Sequence, residues 1–448
     1  MAALQTDAPP KPTDKTLTFM LRALRHRNYR LFFGGQSVSL IGTWMTRIAT
    51  SWLVYRLSHS ALLLGFVSFA GQIPTFLLAP FAGVWVDRWD RHRVLVVTQI
   101  LAMVQSFWLA ALALSHRITV WDVLYLSAFQ GLINAFDMPA RQAFVVQMVE
   151  DRADLSNAIA LNSSMVNMAR LIGPSIAGVI IAAVGEGYCF LIDGISYLAV
   201  IGSLLLMRIA AIQVSRATKN TLRELHEGWH YVSRFAPIRS ILLLLALISL
   251  MGMPYAVLMP IFAGRILHGG AHTLGFLMGA SGVGALTAAF RLAARRSVLG
   301  LGRLTAISAG IFGAGLIAFS RSGMMWLSML LMFFVGLGMM QQMASSNTIL
   351  QTIVDEDKRG RVMSYYAMAF TGMAPFGSLL AGTVANRIGA PDTLLISGIC
   401  CLLGAFWFGT QLKTIRQLVR PIYVGLGIIP EMAVGIQEAS ALRTPPQE

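Results

Sequence analysis

Charged side chains are scarce in this chain: Asp, Glu, Lys and Arg together make up only 12% of its 448 residues. Soluble domains average about 25% charged residues, which they need to cover their surface. Hydrophobic residues make up 56% of the chain. This balance excludes a soluble globular protein and predicts an all-α polytopic membrane protein that contacts membrane lipid.

Cysteine is the next scarce residue. Cys189, Cys400 and Cys401 are odd in number and lie in or beside apolar runs, which indicates neither a disulfide framework nor a metal site. The histidines fall in loops or at helix ends, and no glycine-rich loop followed by Lys and Ser or Thr is present to bind a nucleotide. We therefore expect no metal, no cofactor, no ATP-driven mechanism and no enzyme activity.

Long apolar runs, by contrast, fill the chain. A spanning helix needs about 20 mainly apolar residues, and twelve runs qualify, at approximately 29–55, 61–86, 93–115, 120–141, 155–184, 188–208, 239–264, 274–292, 303–320, 325–348, 361–388 and 392–412. The longest interruption divides them into six and six. The sequence thus predicts twelve transmembrane helices in two pseudo-symmetric halves, with an N-terminal segment 1–28, a first bundle 29–208, a central loop 209–238, a second bundle 239–412 and a tail 413–448.

The distribution of Lys and Arg predicts the orientation of these helices. The net charge is +15, but the basic residues form short clusters between apolar runs, which argues against a nucleic-acid partner. With the N-terminus inside, the cytoplasmic segments contain 28 Lys and Arg; the outer loops contain only five, namely Arg56, Arg117, Arg265, Arg321 and Arg387. The positive-inside rule therefore predicts a multi-pass protein of the inner (plasma) membrane with both termini cytoplasmic.

The two predicted bundles resemble each other weakly. A shift of 204 residues places Gly178 on Gly382, and a shift of 210 places Gly42 on Gly252. Parallel repeats of six helices are a recurrent design of transporters.

A short charged stretch, Gly83 to Leu95, lies between the second and third apolar runs. The spacing Gly-x-Leu-Ala-Asp-Arg-x-Gly-Arg-Arg/Lys-x-x-Leu is matched by Gly83, Asp87, Arg88, Arg91 and Leu95, with departures at Asp90 and His92. At this place in a chain of twelve predicted helices, the stretch resembles the signature loop of the major facilitator superfamily. The resemblance implies a secondary transporter.

Two further stretches narrow the resemblance. Residues 137–143, followed by 155–158, are similar to the branch that contains the enterobactin exporter. Residues 170–178 are similar to the Gly-Pro motif of drug:proton antiporters, through Gly173, Pro174 and Gly178. The resemblance implies proton-driven export of a siderophore- or drug-like molecule, with the Gly-Pro region sealing the closed state. An ordinary helix kink is the alternative interpretation of Pro174.

The loop Gly83–Leu95 has two interpretations. In the first, Asp87 accepts hydrogen bonds from the start of the eleventh helix near Arg361, and Arg91 pairs with Asp137 on the fourth helix. In the superfamily such charges latch the cytoplasmic side while the carrier faces outward. In the second interpretation, the loop is only an anchor that obeys the positive-inside rule.

Ionisable residues within predicted spans mark a cavity or a buried pair, because they are costly to place in a membrane. Arg47 and Arg170 lie on polar helix faces; Asn167 shares the face of Arg170, and Asn134 that of Asp137. These faces predict the lining of a central cavity. Alternatively, the amides bond to neighbouring helices and the arginines cap backbone carbonyls.

Two cavity arginines with few acids favour an anionic or phenolate-bearing cargo. Asp193 is a candidate for the carboxyl group that carries the coupling proton, and Asp137 is its rival. Asp193 has an equally open alternative role, which is to neutralise Arg47 or Arg170.

We expect a monomeric transporter that exports a small amphipathic molecule by alternating access, coupled to protons. Transport of a lysophospholipid and uptake of a substrate are alternatives within the same fold. A transport-inactive membrane sensor is a third, which long extra domains or a damaged loop motif would favour.

Overall fold

In the computed structural model, residues 21–208, 230–295 and 297–428 are described, and within them the chain is helical without strands. The long helices are α1 Arg27–Ser58, α2 Ala61–Arg88, α3 Arg91–Leu114, α4 Val120–Met148, α5 Leu155–Val184, α6 Glu186–Leu205, α7 Ala236–Ile266, α8 Ala271–Ala293, α9 Leu301–Ser320, α10 Met325–Ile353, α11 (Glu356–Ala367 and Ala374–Ile388) and α12 Ala390–Gly425. Short 3₁₀ turns, Arg22–Arg25 and Arg152–Asp154, precede α1 and α5.

Tight turns join most consecutive helices, which therefore run antiparallel. Between α1 and α2 stand only His59, in the left-handed conformation, and Ser60, whose hydroxyl accepts a hydrogen bond from the Leu63 N–H at 3.4 Å. Thr119 and Asp122 form a reciprocal capping box at the start of α4. We call the face where α1 begins and α12 ends the terminal face, and the opposite one the far face.

Ten of the described helices are long and apolar enough to cross a membrane. The two others, α1 and α4, are as long, at 32 and 29 residues. Both carry ionisable residues away from their ends, Arg47 on α1 and Asp137 on α4 among them. The expected all-α polytopic membrane protein is confirmed, while the count of twelve spans stays a prediction.

The two halves of the chain repeat one packing pattern. In the first half, α1 and α3 both pack against α6, and α2 packs against α4. In the second half, α7 and α9 both pack against α12, and α8 packs against α10. Each second-half pair is the counterpart of a first-half pair six helices earlier, so the halves are pseudo-symmetric, as expected. The residue bounds expected for the two bundles stay predictions.

Two glycine contacts join the halves near the far face. A Cβ atom on Gly178 of α5 would lie 2.9 Å from the Cα of Gly275 on α8, and one on Gly65 of α2 would lie 2.9 Å from the Cα of Gly382 on α11. No side chain fits between backbones this close, which is how small residues allow helices to pack in membranes. The shifts of 204 and 210 residues convert one contact into the other, so the weak sequence repeat reflects a real structural repeat.

Further contacts across the halves lie along α2. The Ser68 hydroxyl donates to the Ser378 hydroxyl at 3.2 Å, and the Phe376 ring meets the rings of Phe69 and Phe76 at 6.1 and 5.6 Å. The second-half segments with extensive contacts to α2 include Tyr255–Ile261 and Ala374–Ile388, each the far-face part of its helix. The two halves are therefore closed against each other at the far face.

Two features of the helices differ from the sequence-based expectation. Helix α7 contains the π-helical turns Ile248–Gly252 and Phe262–Ile266, and α11 contains the π-helical turn Met368–Gly372. The Ser249 hydroxyl of α7 donates to the Phe370 carbonyl of α11. Helix α12 continues to Gly425, past the expected end at 412, because its basic residues are good helix formers. Of the expected central loop, 209–229 lies outside the described residues.

A carboxylate brace holds the chain before α1 against the turn before α5. The buried Asp154 carboxylate forms ion pairs with Arg22 at 3.1 Å and with Arg25 at 2.8 Å, and it forms a hydrogen bond with His26 at 2.9 Å. The hydrogen bond from His26, together with the charges of Arg25 and Arg22, lowers the pKa of Asp154 below its ordinary value, against the opposing effect of burial. This brace fixes the terminal-face end of α1 to α5.

Candidate functional site

The space between the halves contains a cluster of two cations over one aromatic ring. The guanidinium of Arg47 lies 4.7 Å from the centre of the Trp44 ring, and that of Arg170 lies 5.7 Å from it. Cations within about 6 Å of a Trp ring are attracted by its π electrons. The Arg47 side chain is exposed, so a molecule in the space between the halves can reach it. We call Trp44, Arg47 and Arg170 the arginine cluster.

The backbone of α5 makes this cluster possible. Gly173 lies against Trp44, where a Cβ atom on the glycine would come within 2.5 Å of the Trp44 Cβ. Glycine therefore lets α1 and α5 approach until Arg47, one turn from Trp44 on α1, and Arg170, one turn from Gly173 on α5, meet over the same ring. The Gly-Pro motif thus contributes to the site as well as to the helix.

Neither arginine of the cluster forms an ion pair with a carboxylate within the described parts of the chain. Arg170 instead donates to the thioether sulfur of Met339, on α10 of the other half, at 3.8 Å. A thioether is a weak acceptor, so most of the donor capacity of both guanidinium groups is unused. The cluster can therefore accept an anion, which would relieve the repulsion between the two like charges.

Asp193 is buried between α1, α3 and α6, with 1% of its surface exposed. Its Oδ2 atom accepts hydrogen bonds from the hydroxyls of Thr46 and Ser106, both at 2.9 Å, while its Oδ1 atom is buried with no hydrogen-bond partner among the described residues. The alternative that Asp193 neutralises Arg47 or Arg170 is wrong in this conformation, since hydroxyls surround it instead.

The second half contains a counterpart of the Asp193 site that has no charge. Gly42 of α1 packs against Asp193 of α6, and its built Cβ would lie 2.7 Å from Oδ1. The glycine at the matching place on α7, Gly252, packs instead against Phe312 of α9 and Cys401 of α12. The same three-helix junction is therefore built once around a carboxyl group and once around apolar groups.

The asparagines of the expected polar faces bond mainly within their own helices. Asn134 accepts from Gln130 at 3.3 Å, and Asn167 donates to the Ser163 carbonyl at 2.9 Å. Both side chains are half-buried. These hydrogen bonds leave part of each amide for a cargo, so that role of Asn134 and Asn167 stays a prediction.

The charged loop between α2 and α3 is shorter than expected, because α2 runs on to Arg88 and α3 begins at Arg91. Asp90, one of the departures from the superfamily spacing, caps α3 by accepting from the N–H of His92 at 2.9 Å. His92, the other departure, contacts the Leu204 carbonyl of α6 through Nε2 at 2.8 Å. The departures therefore have local structural roles. The surroundings of Gly83 and of the Asp87 side chain lie outside the described part of the structure.

Asp137 is buried on α4 among donors from two helices. Arg141, one turn further along α4, forms an ion pair with it, and Thr98 and Gln99 of α3 donate to its Oδ1 atom at 3.1 and 2.7 Å. These contacts tie α3 to α4 within the first half. The pairing of Arg91 with Asp137 stays a prediction.

The Gly-Pro motif does not break its helix. Helix α5 is continuous through Pro174, and Gly178 makes the close contact with α8 described above. Gly178 therefore lies at the junction of the halves, while the role of the motif in sealing the closed state stays a prediction.

A family model described as transmembrane secretion effector matches residues 18–417, which is most of the chain. The chain belongs to this family, within the major facilitator superfamily. The resemblance inferred from the loop motif is confirmed, and the protein is a membrane transporter rather than an enzyme.

This chain matches two curated relatives over nearly the whole length of each relative. The staphyloferrin A transporter of Staphylococcus aureus is 27% identical over 388 residues, 85% of this chain and 95% of that protein. Macrolide efflux protein A of Streptococcus pyogenes is 24% identical over 396 residues, 84% and 96% respectively. Among solved structures, a bacterial homologue of the iron transporter ferroportin in the inward-facing state matches with a TM-score of 0.67 at 16% identity, over 86% of this chain and 98% of that one, which shows a shared fold.

Sequence reasoning missed two parts of the transporter's site. Trp44 was not singled out, although its spacing of three residues from Arg47 places both side chains on one helix face. Thr46 and Ser106 were not singled out either, since isolated hydroxyl residues in apolar helices usually bond to their own backbone. The approach of Arg170 to Trp44 depends on the crossing of α1 and α5, which no local pattern specifies.

Proposed function

We propose that this transporter exports a small amphipathic organic anion, siderophore-like or drug-like, by alternating access and at the expense of a proton gradient. The single observation that carries the proposal is the arginine cluster, where Arg47 and Arg170 share the Trp44 ring between the two halves without a carboxylate partner among the described residues.

The chemistry of the cluster selects the class of cargo. Each guanidinium can donate two parallel hydrogen bonds to one carboxylate or phenolate pair, and the indole ring offers an apolar surface for a hydrophobic part. Arg170 also contacts Met339 of the second half. A cargo held there is thus between the two halves, where rocking of one half against the other exposes it to each side in turn.

Proton coupling is assigned to Asp193. A buried carboxyl group with hydroxyl neighbours and no nearby cation partner is stable in its neutral form and can lose its proton when a side opens to water. Thr46 connects it to the helix that contains Arg47, since both residues belong to α1. Movement of α1 with the cargo therefore changes the surroundings of the carboxyl group.

The terminal face is proposed to be cytoplasmic, because the sequence segments expected inside contain 28 of the 35 Lys and Arg residues of the chain and the described parts of those segments lie at that face. The protein is then a monomer of the plasma membrane that is closed to the outside in the conformation described here. In the opposite conformation, Gly83, Asp87, Arg88, Arg91 and Asp137 are proposed to latch the cytoplasmic side.

Retention of fluorescent or radiolabelled compounds in cells tests this function. Cells with the wild-type protein should retain less of a carboxylate siderophore or an anionic drug than cells without it, and a proton uncoupler should remove the difference. The double variant Arg47→Gln, Arg170→Gln should lose export of the anionic compounds by about tenfold or more. Arg117→Gln, which removes a charge at the far face, should export normally. Equal retention with and without the wild-type protein, across anionic, neutral and cationic compounds, would contradict the proposal.

A further inference from the structure

A second polar cavity lies at the far face, away from the arginine cluster. Its volume is about 430 Å³, within the range of pockets that enclose small ligands. The first half contributes Tyr55 and His59 from the end of α1, and the second half contributes Arg265 from α7 and Asn386 from α11. We call it the far-face cavity. Because its walls come from both halves, it exists only while the far face is closed.

The polar side chains that line the far-face cavity include one positive charge, Arg265, beside the apolar residues Ala61, Ile261 and Ala385. Arg265 lies on the π-helical turn Phe262–Ile266 and is exposed, with no ion-pair partner among the described residues. Gly389 and Ala390 also line the cavity and form the N-terminus of the 36-residue helix α12. The N-terminal end of a long helix carries a partial positive charge, which Asp392 in the first turn of α12 offsets in part, so the positive charge at the cavity comes chiefly from Arg265.

Tyr55 supplies an independent sign that the cavity is built for a ligand. Only 9% of the residue is exposed, yet it lines the cavity, and its hydroxyl has no hydrogen-bond partner in the described part of the chain. A phenol group so nearly buried usually finds a partner. Its neighbour His59 packs edge-on against the ring at 5.3 Å.

The acids nearest the far face are all engaged elsewhere. Glu186 pairs with Arg56 through two hydrogen bonds at 2.9 and 3.1 Å, and Asp392 pairs with Arg321 at 2.7 Å. Asp122 is occupied in the capping box of α4. None of the described residues that line the far-face cavity is acidic, so the charge of Arg265 favours an anion there.

We propose that the far-face cavity binds a small soluble carboxylate or phosphate anion, with Arg265 as its ion-pair partner and Tyr55 as a donor, and that the bound anion holds the two halves in the far-face-closed conformation. The anion is a ligand of the resting carrier and not its cargo. It stabilises one conformation because it binds that conformation better than the other. An anion on the outside would therefore slow the return of the far face to its open form.

Thermal unfolding of the full-length protein in detergent tests the site. Citrate and inorganic phosphate are titrated separately at constant ionic strength with chloride as the balancing salt, and the rise in Tm gives an apparent Kd. We expect at least one of the two anions to raise Tm more than chloride does. Arg265→Gln should raise the apparent Kd by about tenfold, and Tyr55→Phe by about threefold to tenfold, the effect of one lost hydrogen bond.

Matched controls separate this site from the other basic groups. Arg117→Gln removes a far-face charge outside the cavity and should bind the anion as the wild type does. The double variant Arg47→Gln, Arg170→Gln removes the arginine cluster and should also keep the response. If that double variant loses the response while Arg265→Gln keeps it, the anion binds at the arginine cluster and the proposal is wrong, although the proposed cargo class then stands.

The conformational part has its own measurement. Spin labels on Ser115→Cys and Gly323→Cys, in the far-face turns of the two halves, report the distance between them after Cys189, Cys400 and Cys401 are replaced by serine. The anion should increase the population at the shorter distance, and Arg265→Gln should abolish that increase. An unchanged distance distribution would overturn the closing role. A response to phosphatidylglycerol in nanodiscs, with none to citrate or phosphate, would overturn a soluble ligand in favour of a lipid headgroup.

Discussion

The two halves of this transporter share one architecture and differ in chemistry at one junction. In the first half, Gly42 packs against Asp193, whose carboxyl group accepts hydrogen bonds from Thr46 and Ser106. In the second half, Gly252 packs against Phe312 and Cys401 at the matching place. In both halves a glycine lets the helices approach closely. The groups enclosed between the helices differ, and Gly252 also lies in the π-helical turn Ile248–Gly252, whereas Gly42 lies in a regular α-helix.

The difference separates what the fold requires from what it does not. The apolar junction holds α7, α9 and α12 together, so a carboxyl group is not needed to pack three helices there. A buried carboxyl group with an unpartnered oxygen carries a desolvation cost. The first half has it nevertheless, which fits a functional role for Asp193 rather than a structural one.

Introducing a carboxyl group at the apolar junction of the second half should have the largest effect on folding stability. Cys401→Asp places a carboxyl group against Phe312 and Gly252, where no hydroxyl corresponds to Thr46 or Ser106. We expect a loss of about 3 kcal/mol or more of folding stability, measured as a fall in Tm in detergent. Cys401→Ser, of nearly the same size, is the control and should change Tm much less. Equal Tm values for Cys401→Asp and wild type would mean that the two junctions are chemically alike.

Where the halves are symmetric, matched substitutions should have matched effects. Gly178→Ala and Gly382→Ala each insert a methyl group at a close far-face contact. Each should destabilise the closed far face by about 1–3 kcal/mol, seen as a longer distance between labels at positions 115 and 323. Gly202→Ala, where a Cβ meets nothing within 4 Å, is the control. A large effect at one contact and none at the other would show that the two glycine contacts are not equivalent.

The brace at Asp154 belongs to the first half and should give the smallest effect, whose dependence on pH appears only in acid. Its pKa is lowered in the folded protein, so its stabilising contribution is full above the unfolded value of about 3.9 and is lost as the pH falls through the folded value. The Tm difference between wild type and Asp154→Asn should therefore be constant near neutral pH and shrink below about pH 4. Arg93→Gln, at an exposed salt bridge with Asp90, is the control. A difference that grows on acidification would contradict this sign.

Local sequence patterns were enough for the fold and for part of the site. Apolar runs identified the helices, and the shifts of 204 and 210 identified glycines that turned out to be equivalent across the halves. Arg47, Arg170 and Asp193 stood out because ionised groups are rare in apolar helices. Each of these signals is carried by the residue itself or by its neighbours along one helix.

Contacts between helices could not be read in the same way. The meeting of Arg47 and Arg170 over Trp44 depends on how deeply α1 and α5 interpenetrate at Gly173. The far-face cavity combines ends of helices far apart in sequence, from Tyr55 to Ala390. Two of the π-helical turns lie near the place where Gly377 of α11 packs against Pro254 of α7, and a hydrophobic pattern of period 3.6 does not predict them.

Transport in proteoliposomes tests the central claim, that Asp193 couples cargo movement to protons. Wild-type protein should accumulate an anionic cargo against its gradient when a pH gradient is imposed, and should also exchange labelled for unlabelled cargo with no gradient. Asp193→Asn keeps an oxygen that Thr46 and Ser106 can reach, so it should fold and exchange cargo at a comparable rate. We predict that it loses gradient-driven accumulation by about tenfold or more. Accumulation at the wild-type level by Asp193→Asn would contradict the account.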